Sequence, residues 1–568
     1  MAGSSAGVLE GERIVGAGAQ PQPGFLEKER IIAGPGFNRW LVPPAALAIH
    51  LCIGMAYGFS VFWLPLSKTL ATAVPGTASC ASQGVGFFGE LFASNCDWSI
   101  ATLGWMYTLF FVFLGCAAAL WGGWLERAGP RKAGVVAAFC WCGGMLLSAI
   151  GISLHQFWLM ILGSGVIGGI GLGLGYISPV STLIKWFPDR RGMATGMAIM
   201  GFGGGAMIGS PLAVDLMKAF ATPTSNGVLQ TFVILAVVYF VFMLGGAFGY
   251  RVPPTGWKPK GWTPRATQAS NAMITQRHVH VKKVWGIPQF WLIWMALTMN
   301  VSAGIGVIGM ASPMLQEVFG GNLIGEAKRF TELDKSQLAA IAAVAGGFAA
   351  LLSLFNIAGR FFWASMSDLF GRKMTYSIFF VLGMVLYASL PSSAGAGSKL
   401  LFVGAACIIV SMYGGGFATV PAYLADIFGT QFVGAIHGRL LTAWSTAGIL
   451  GPVVVNYMRE YQLGLGLPRE QVYNQTMYIL VGMLAIGLVC NLLVRPLPDK
   501  WFMTDAELAE EKRLAHEKAV LAESNLGTGD ADQLATPTAK VVLAWLVVGI
   551  PLAWGVYRTL LAAAKFFH

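Results

Sequence analysis

Charge is what this sequence most lacks. Asp, Glu, Lys and Arg make up 11% of its 568 residues, where a soluble domain carries about 25%. Hydrophobic residues make up 55%, and the mean hydropathy is +0.65. The shortage excludes a soluble enzyme and points to an all-α membrane protein that crosses the bilayer many times. Acids are scarcer than bases, 26 against 37, which gives a formal net charge of +11. In a soluble protein that excess would suggest nucleic acid. Here the cations sit mainly in loops between apolar runs, so they report topology and contact with anionic lipid, and no nucleic-acid partner is expected. Cysteine is sparse, and six of the eight lie inside apolar runs. No metal-ligand spacing, nucleophile triad or phosphate loop is found. Gly168 and Gly173, spaced like part of a nucleotide loop, sit within a membrane helix and read as packing. No metal, cofactor or catalytic residue is therefore expected. The first 40 residues lack the charged start, apolar core and cleavage site of a signal peptide and read as a cytoplasmic tail.

What the sequence has is apolar runs. They fall near 41–66, 98–122, 133–153, 157–184, 193–217 and 228–250, then near 287–315, 339–366, 374–391, 400–425, 434–457 and 473–494. A thirteenth, from about Val541 to Phe566, follows a polar, acidic linker with helical character from Asp505 to Glu523. The organisation read from this is a tail over 1–40, a six-helix bundle over 41–250, a basic loop over 251–286, a second bundle over 287–495, a linker over 496–539 and an accessory helix over 540–568.

Charge asymmetry orients these spans. Arg251 to Gly286 holds Arg251, Lys258, Lys260, Arg265, Arg277, Lys282 and Lys283 and no acid. Thr69 to Trp98 holds Glu90 and Asp97 and no Lys or Arg. The positive-inside rule puts the first loop in the cytoplasm and the second outside, so the N-terminus is expected inside and His568 outside, across a cell (inner) membrane. Cys80 and Cys96 share the outer loop, where a disulfide fits an oxidising compartment.

The two sets of six are repeats. Glu126 and Asp368 lie 242 positions apart, as do Gly129 and Gly371, Pro179 and Pro421, Gly192 and Gly434, Gly196 and Gly438, and Gly209 and Gly451. One constant offset over several helices implies two halves related by a parallel pseudo-two-fold, the arrangement associated with alternating access.

Within the eighth span stands Arg360. Asp368, eight residues later, opens a charged turn, which sets Arg360 roughly 12 Å inside the helix end. A charge at that depth usually faces a bundle interior or watery cavity. It reads as an anion site near mid-membrane, with Asn356 one turn earlier on the same face.

Gly122 to Lys132, between spans 2 and 3, resembles the loop G-x3-D-R-x-G-R-R of the major facilitator superfamily. Glu126 stands in place of the usual Asp, and Pro130 interrupts the basic pair. Asp368 to Lys373 repeats the loop in the second half. The resemblance implies that superfamily's fold of two six-helix bundles, with the thirteenth helix added. It also implies that Glu126, Arg127, Arg131, Asp368 and Arg372 act in conformational gating. Asn356 and Arg360, the run Gly175-Tyr176-Ile177-Ser178-Pro179, and Tyr413 to Pro421 resemble the oxalate/formate antiporter branch, close to the monocarboxylate transporters. In that branch the span-8 arginine binds carboxylate, which implies that role for Arg360.

The departures refine this expectation. Oxalate transporters place a lysine in span 11, and here Trp444 aligns with it. One central cation suits one carboxylate, so a monocarboxylate such as formate, lactate or pyruvate is expected. An oxalate/formate antiporter and a carboxylate-sensing receptor are the alternatives. Animal monocarboxylate carriers have Asp where Asn356 stands, and that acid is linked to proton symport. Asn cannot titrate, so proton coupling would need another group, such as His50. Tyr57, Tyr176, Tyr413 and Trp444 are candidates for the cavity wall beside Arg360 and Asn356. The last span resembles a small single-span subunit fused at the C-terminus. The oligomeric state is left open.

Overall fold

The computed structural model describes residues 24–254, 257–262, 273–511, 513 and 536–564. Among them are thirteen helices long and apolar enough to cross a membrane, and no strands beyond isolated bridges. They are α1 (Arg39–Phe59), α2 (Ile100–Ala128), α3 (Pro130–Ser153), α4 (Phe157–Trp186), α5 (Arg191–Phe220), α6 (Val228–Gly249), α7 (Pro288–Phe319), α8 (Lys335–Phe370), α9 (Arg372–Gly395), α10 (Lys399–Phe428), α11 (Val433–Gly464), α12 (Asn474–Leu493) and α13 (Thr538–Ala564).

The repeat is visible in how helices end. α2 and α8 stop at Gly129 and Gly371, which adopt φ +86° and +85°. Glycine tolerates that region, so the chain turns at once into α3 or α9. Cations then cap the last helix of each half. Arg131 donates to the carbonyls of Phe25 and Phe248, and Lys373 donates to those of Leu492 and Val494. A cation suits the partial negative charge of a helix C-terminus. These turns and the basic connection between α6 and α7 share one face, the basic end of the molecule.

Close helix approach relies on small residues. A side chain at Gly54 of α1 would strike the backbone of Phe202, and one at Gly359 of α8 that of Ser411. At Gly54 α1 tightens to 3-10 geometry, which runs to Phe62 and carries Tyr57. α4 contains a π-helical stretch, Ile161–Gly168, and Gly173 beyond it packs on the backbone of α2 at Leu114.

Two connections are more ordered than their polarity suggests. Residues 24–41 strap the basic end: Ile31 is buried, Ile32 bridges to Val252, and the Lys28 amine donates to the Glu126 carbonyl. On the opposite face Cys80 and Cys96 form a disulfide with Cα atoms 4.9 Å apart. Asp97 there accepts from the backbone N–H groups of Leu70 and Ala71. Of the linker after α12, residues 505–511 are helical, and most of the stretch to Glu523 lies outside the described residues, as do His568 and Arg265.

α13 lies against α5, α1 and α8, across the seam between the halves. Trp545 donates to the Trp40 carbonyl near the basic end, and Arg558 pairs with Asp215 near the far end of α5. The helix therefore runs in the same direction as α5.

Candidate functional site

The helical period sets Asn356 and Arg360 one turn apart, and the structure joins them. Arg360 Nε donates to Asn356 Oδ1 at 2.8 Å. Nη1 donates to the Ile199 carbonyl of α5 at 3.2 Å, so the guanidinium reaches across the seam. The third nitrogen, Nη2, has no partner among the described residues. Arg360 is 0% exposed, and no described carboxylate lies within ion-pair distance of it. A buried cation without a counter-charge is costly, and an anion arriving beside it removes that cost.

Aromatic rings enclose the guanidinium. Its carbon lies 5.9 Å from the Tyr57 ring centre, 5.8 Å from Phe202 and 5.6 Å from Phe417. Trp444 is fully buried and packs on Phe417 at 4.3 Å, Tyr176 at 5.3 Å, Phe202 and Phe111 at 5.4 Å, and Tyr57 at 6.1 Å. The Tyr57 and Tyr413 hydroxyls meet at 3.1 Å, linking α1 to α10. The Tyr176 hydroxyl and the Trp444 indole N–H are buried without a hydrogen-bond partner among the described residues. Three unused donors, on Arg360, Tyr176 and Trp444, thus lie in one aromatic cluster, which suits a small anion with an apolar body.

All six residues expected at the site belong to this cluster. Phe202, Phe417 and Phe111 join it without having been singled out. The repeat marks one of them, since Phe202 is 242 positions before Trp444. The same offset sets Ala118 as the counterpart of Arg360, so the first half has no matching cation. His50 lies beside the cluster, its ring 5.3 Å from that of Tyr176. Its two nitrogens face the carbonyls of Ala198 at 2.5 Å and Tyr176 at 3.1 Å.

At the basic end the two halves are latched by paired contacts. Asp368 accepts from the backbone N–H groups of Gly192 and Met193, at the start of α5, both at 3.0 Å. Glu126 accepts from the N–H of Gly434, at the start of α11, at 3.1 Å. The two contacts are related by the offset of 242, and each sets a carboxylate on the positive end of a helix from the other half. Glu126 also pairs with Lys185, and Asp368 with Arg372. Asp426 holds Arg372 and, across the seam, Arg191 at 3.1 Å. Arg127 is exposed, and Arg131 bonds within its own half.

A family profile described as Major Facilitator Superfamily matches residues 46–452 and, in a second overlapping match, 333–567. The chain is 25% identical over 376 residues to the oxalate:formate antiporter of Oxalobacter formigenes, covering 66% of this chain and 80% of that protein. It is 24% identical over 450 residues to apicoplast pyruvate carrier 1 of Toxoplasma gondii, covering 69% and 78%. Among solved structures it superposes on the proton:xylose symporter XylE with a TM-score of 0.54 at 15% identity, covering 80% of this chain and 95% of that one. For the E. coli fucose:proton symporter the TM-score is 0.52 at 11% identity, covering 81% and 100%. These structural likenesses show the fold.

Proposed function

The chain belongs to the Major Facilitator Superfamily, a family of transporters, and we propose that this member carries small monocarboxylates such as formate, lactate or pyruvate by rocking its two halves about Arg360. The observation that carries the reading is a fully buried arginine with a free nitrogen and no counter-ion among the described residues, ringed by aromatic groups on both sides of the seam. An arginine holds a carboxylate through two parallel charged bonds. The single cation favours one carboxylate, and the relative named as a pyruvate carrier is consistent with that. The relative named as an oxalate:formate antiporter supports a second reading, oxalate exchanged for formate. Glu126, Asp368 and Arg372 serve as the latch of the closed basic end, which by charge faces the cytoplasm, and α13 is an accessory helix.

Purified protein in proteoliposomes, loaded and challenged with formate, lactate, pyruvate and oxalate, tests the proposal. Uptake of a monocarboxylate that excess oxalate fails to block is expected. Preferential oxalate uptake selects the second reading, and uptake of none of the four overturns both.

A further inference from the structure

The observation of departure is a histidine that the carboxylate reading leaves unused. His437 lies one turn inside the basic end of α11 and is 1% exposed. Neither of its ring nitrogens has a hydrogen-bond partner among the described residues. A neutral imidazole carries one donor and one acceptor, and burying both unused is costly. Its ring sits 5.9 Å from that of Tyr176, which also packs on Trp444 and whose hydroxyl likewise has no partner among the described residues. The imidazole therefore borders the aromatic cluster from below, on the basic-end side of Arg360.

The repeat shows that packing does not call for this residue. The position 242 earlier is Thr195, and that of Tyr176 corresponds to Ala418. Thr195 donates to the Ala418 carbonyl at 2.7 Å, across the seam. One half thus fills the position with a small, satisfied hydroxyl, and the other with a large, unsatisfied, titratable ring at the equivalent contact.

We propose that His437 is a proton-carrying partner of the carboxylate site, taking up one proton when the substrate anion binds and releasing it when the basic end opens. This rests on the carboxylate reading above. The charged and titratable groups nearest this end of α11 include Glu126 and Arg127 on α2, Tyr176 and Lys185 on α4, Tyr423 and Asp426 on α10, Arg439 on α11 itself and His280, Lys282 and Lys283 in the preceding connection, with His50 on α1 and Arg360 on α8 bordering the same cluster. Glu126 is held by Lys185, Ser181 and Gly434, and Asp426 by Arg191 and Arg372. The nearby carboxylates are therefore already engaged, and an imidazolium at His437 lacks a protein counter-charge. A substrate carboxylate between Arg360 and His437 supplies one. Loading then takes R–COO⁻ and one H⁺ from the same side, the proton residing on a His437 nitrogen. A close backbone contact between Gly438 and Ala118 ties this turn of α11 to α2. Opening the basic end parts that contact, admits water to the imidazole and lets proton and anion leave together.

The test uses the full chain in proteoliposomes with a trapped pH indicator and lactate, pyruvate, formate or oxalate as probe. For wild type, uptake acidifies the lumen, and apparent affinity rises about tenfold per unit of acidification while the imidazole is mostly neutral, the slope for one linked proton. H437Q is expected to flatten that slope and abolish lumenal acidification. An unchanged slope in H437Q, or one flattened by H50Q and not by H437Q, overturns the proposal. Should H437Q fail to insert, proton uptake on adding the transported anion to unbuffered, solubilised wild type decides: about one proton per anion is expected, and none overturns the proposal. If wild type carries none of the four probes, the carboxylate reading itself has failed. If it carries one without protons, only the role of His437 has.

Discussion

Arg360 and Trp444 set the charge available to a substrate, and both can be altered one side chain at a time. Arg360→Lys keeps the charge but loses the fork that grips both oxygens of a carboxylate, so binding weakens. Arg360→Ala abolishes uptake yet still inserts, because removing a buried cation lowers the cost of insertion. Trp444→Lys adds a second cation and shifts preference from monocarboxylate toward oxalate by about 1–3 kcal/mol, the size of one charged hydrogen bond. Lactate uptake into vesicles, with and without competing oxalate, wild type beside variant, measures the effects on transport, and recovery of Arg360→Ala in the membrane fraction measures its insertion. Arg360 was legible in the sequence because a charge inside an apolar span stands out from its surroundings, and Asn356 because it lies one turn earlier on the same face. Phe202, Phe417 and Phe111 were not, because an aromatic residue facing a site and one facing lipid look alike in a hydrophobic run. His437 was open to discovery through the 242-residue offset, which pairs it with Thr195 and so marks it as a change of chemistry at a repeated position.

At the basic end the two halves meet through the starts and ends of helices. Asp368 meets the start of α5 through two backbone N–H groups and also holds Arg372. Asp368→Asn removes the charge from these bonds and destabilises the closed basic end by about 1–3 kcal/mol. A cysteine at buried Ala435, against Gly122 of α2, should then be labelled faster by a soluble maleimide than in the parent protein. The cap on the opposite face has its own pH dependence. His155, between α3 and α4, stacks on Trp98 at 4.0 Å, and its Nε2 lies 2.9 Å from the Cys96 carbonyl. Burial holds its pKa below the usual 6.5, outweighing the Cys96 carbonyl and Asp97, which raise it. The unfolded cap binds the proton more readily, so the contribution of His155 is complete above about 6.5 and is lost as the pH falls below it. The opening equilibrium read from hydrogen exchange over residues 67–99, after division by the pH-dependent intrinsic exchange rate, should grow as the pH falls from about 7.5 to 5.5 in wild type, and less in His155→Phe, which keeps the stack without the titration. The spans were legible from hydropathy. The 3-10 turn carrying Tyr57 and the strap over 24–41 were not, since both depend on contacts with distant backbone.

For the whole molecule, the course of α13 bears on topology. It starts beside Trp40 and ends beside Asp215, parallel to α5. A reporter at the N-terminus or in the loop over 251–286 should be active only in the cytoplasm, and one fused after α13 only outside. Activity of the C-terminal reporter in the cytoplasm would remove α13 as a crossing helix. Arg558→Ala should alter melting little, because exposed ion pairs contribute only about 0–1 kcal/mol.

The latch has a consequence for why both repeats sit on one chain. Glu126 reaches Gly434 and Asp368 reaches Gly192, so each repeat caps a helix of the other. Two copies of a single six-helix protein, related by a true two-fold, would form the same pair of caps. Such a dimer would also carry the central arginine twice or not at all. Fusion into one polypeptide is what permits alanine at 118 and arginine at 360, threonine at 195 and histidine at 437. Covalent linkage thus lets a symmetric hinge enclose an asymmetric site, able to grip one end of a molecule whose other end is different.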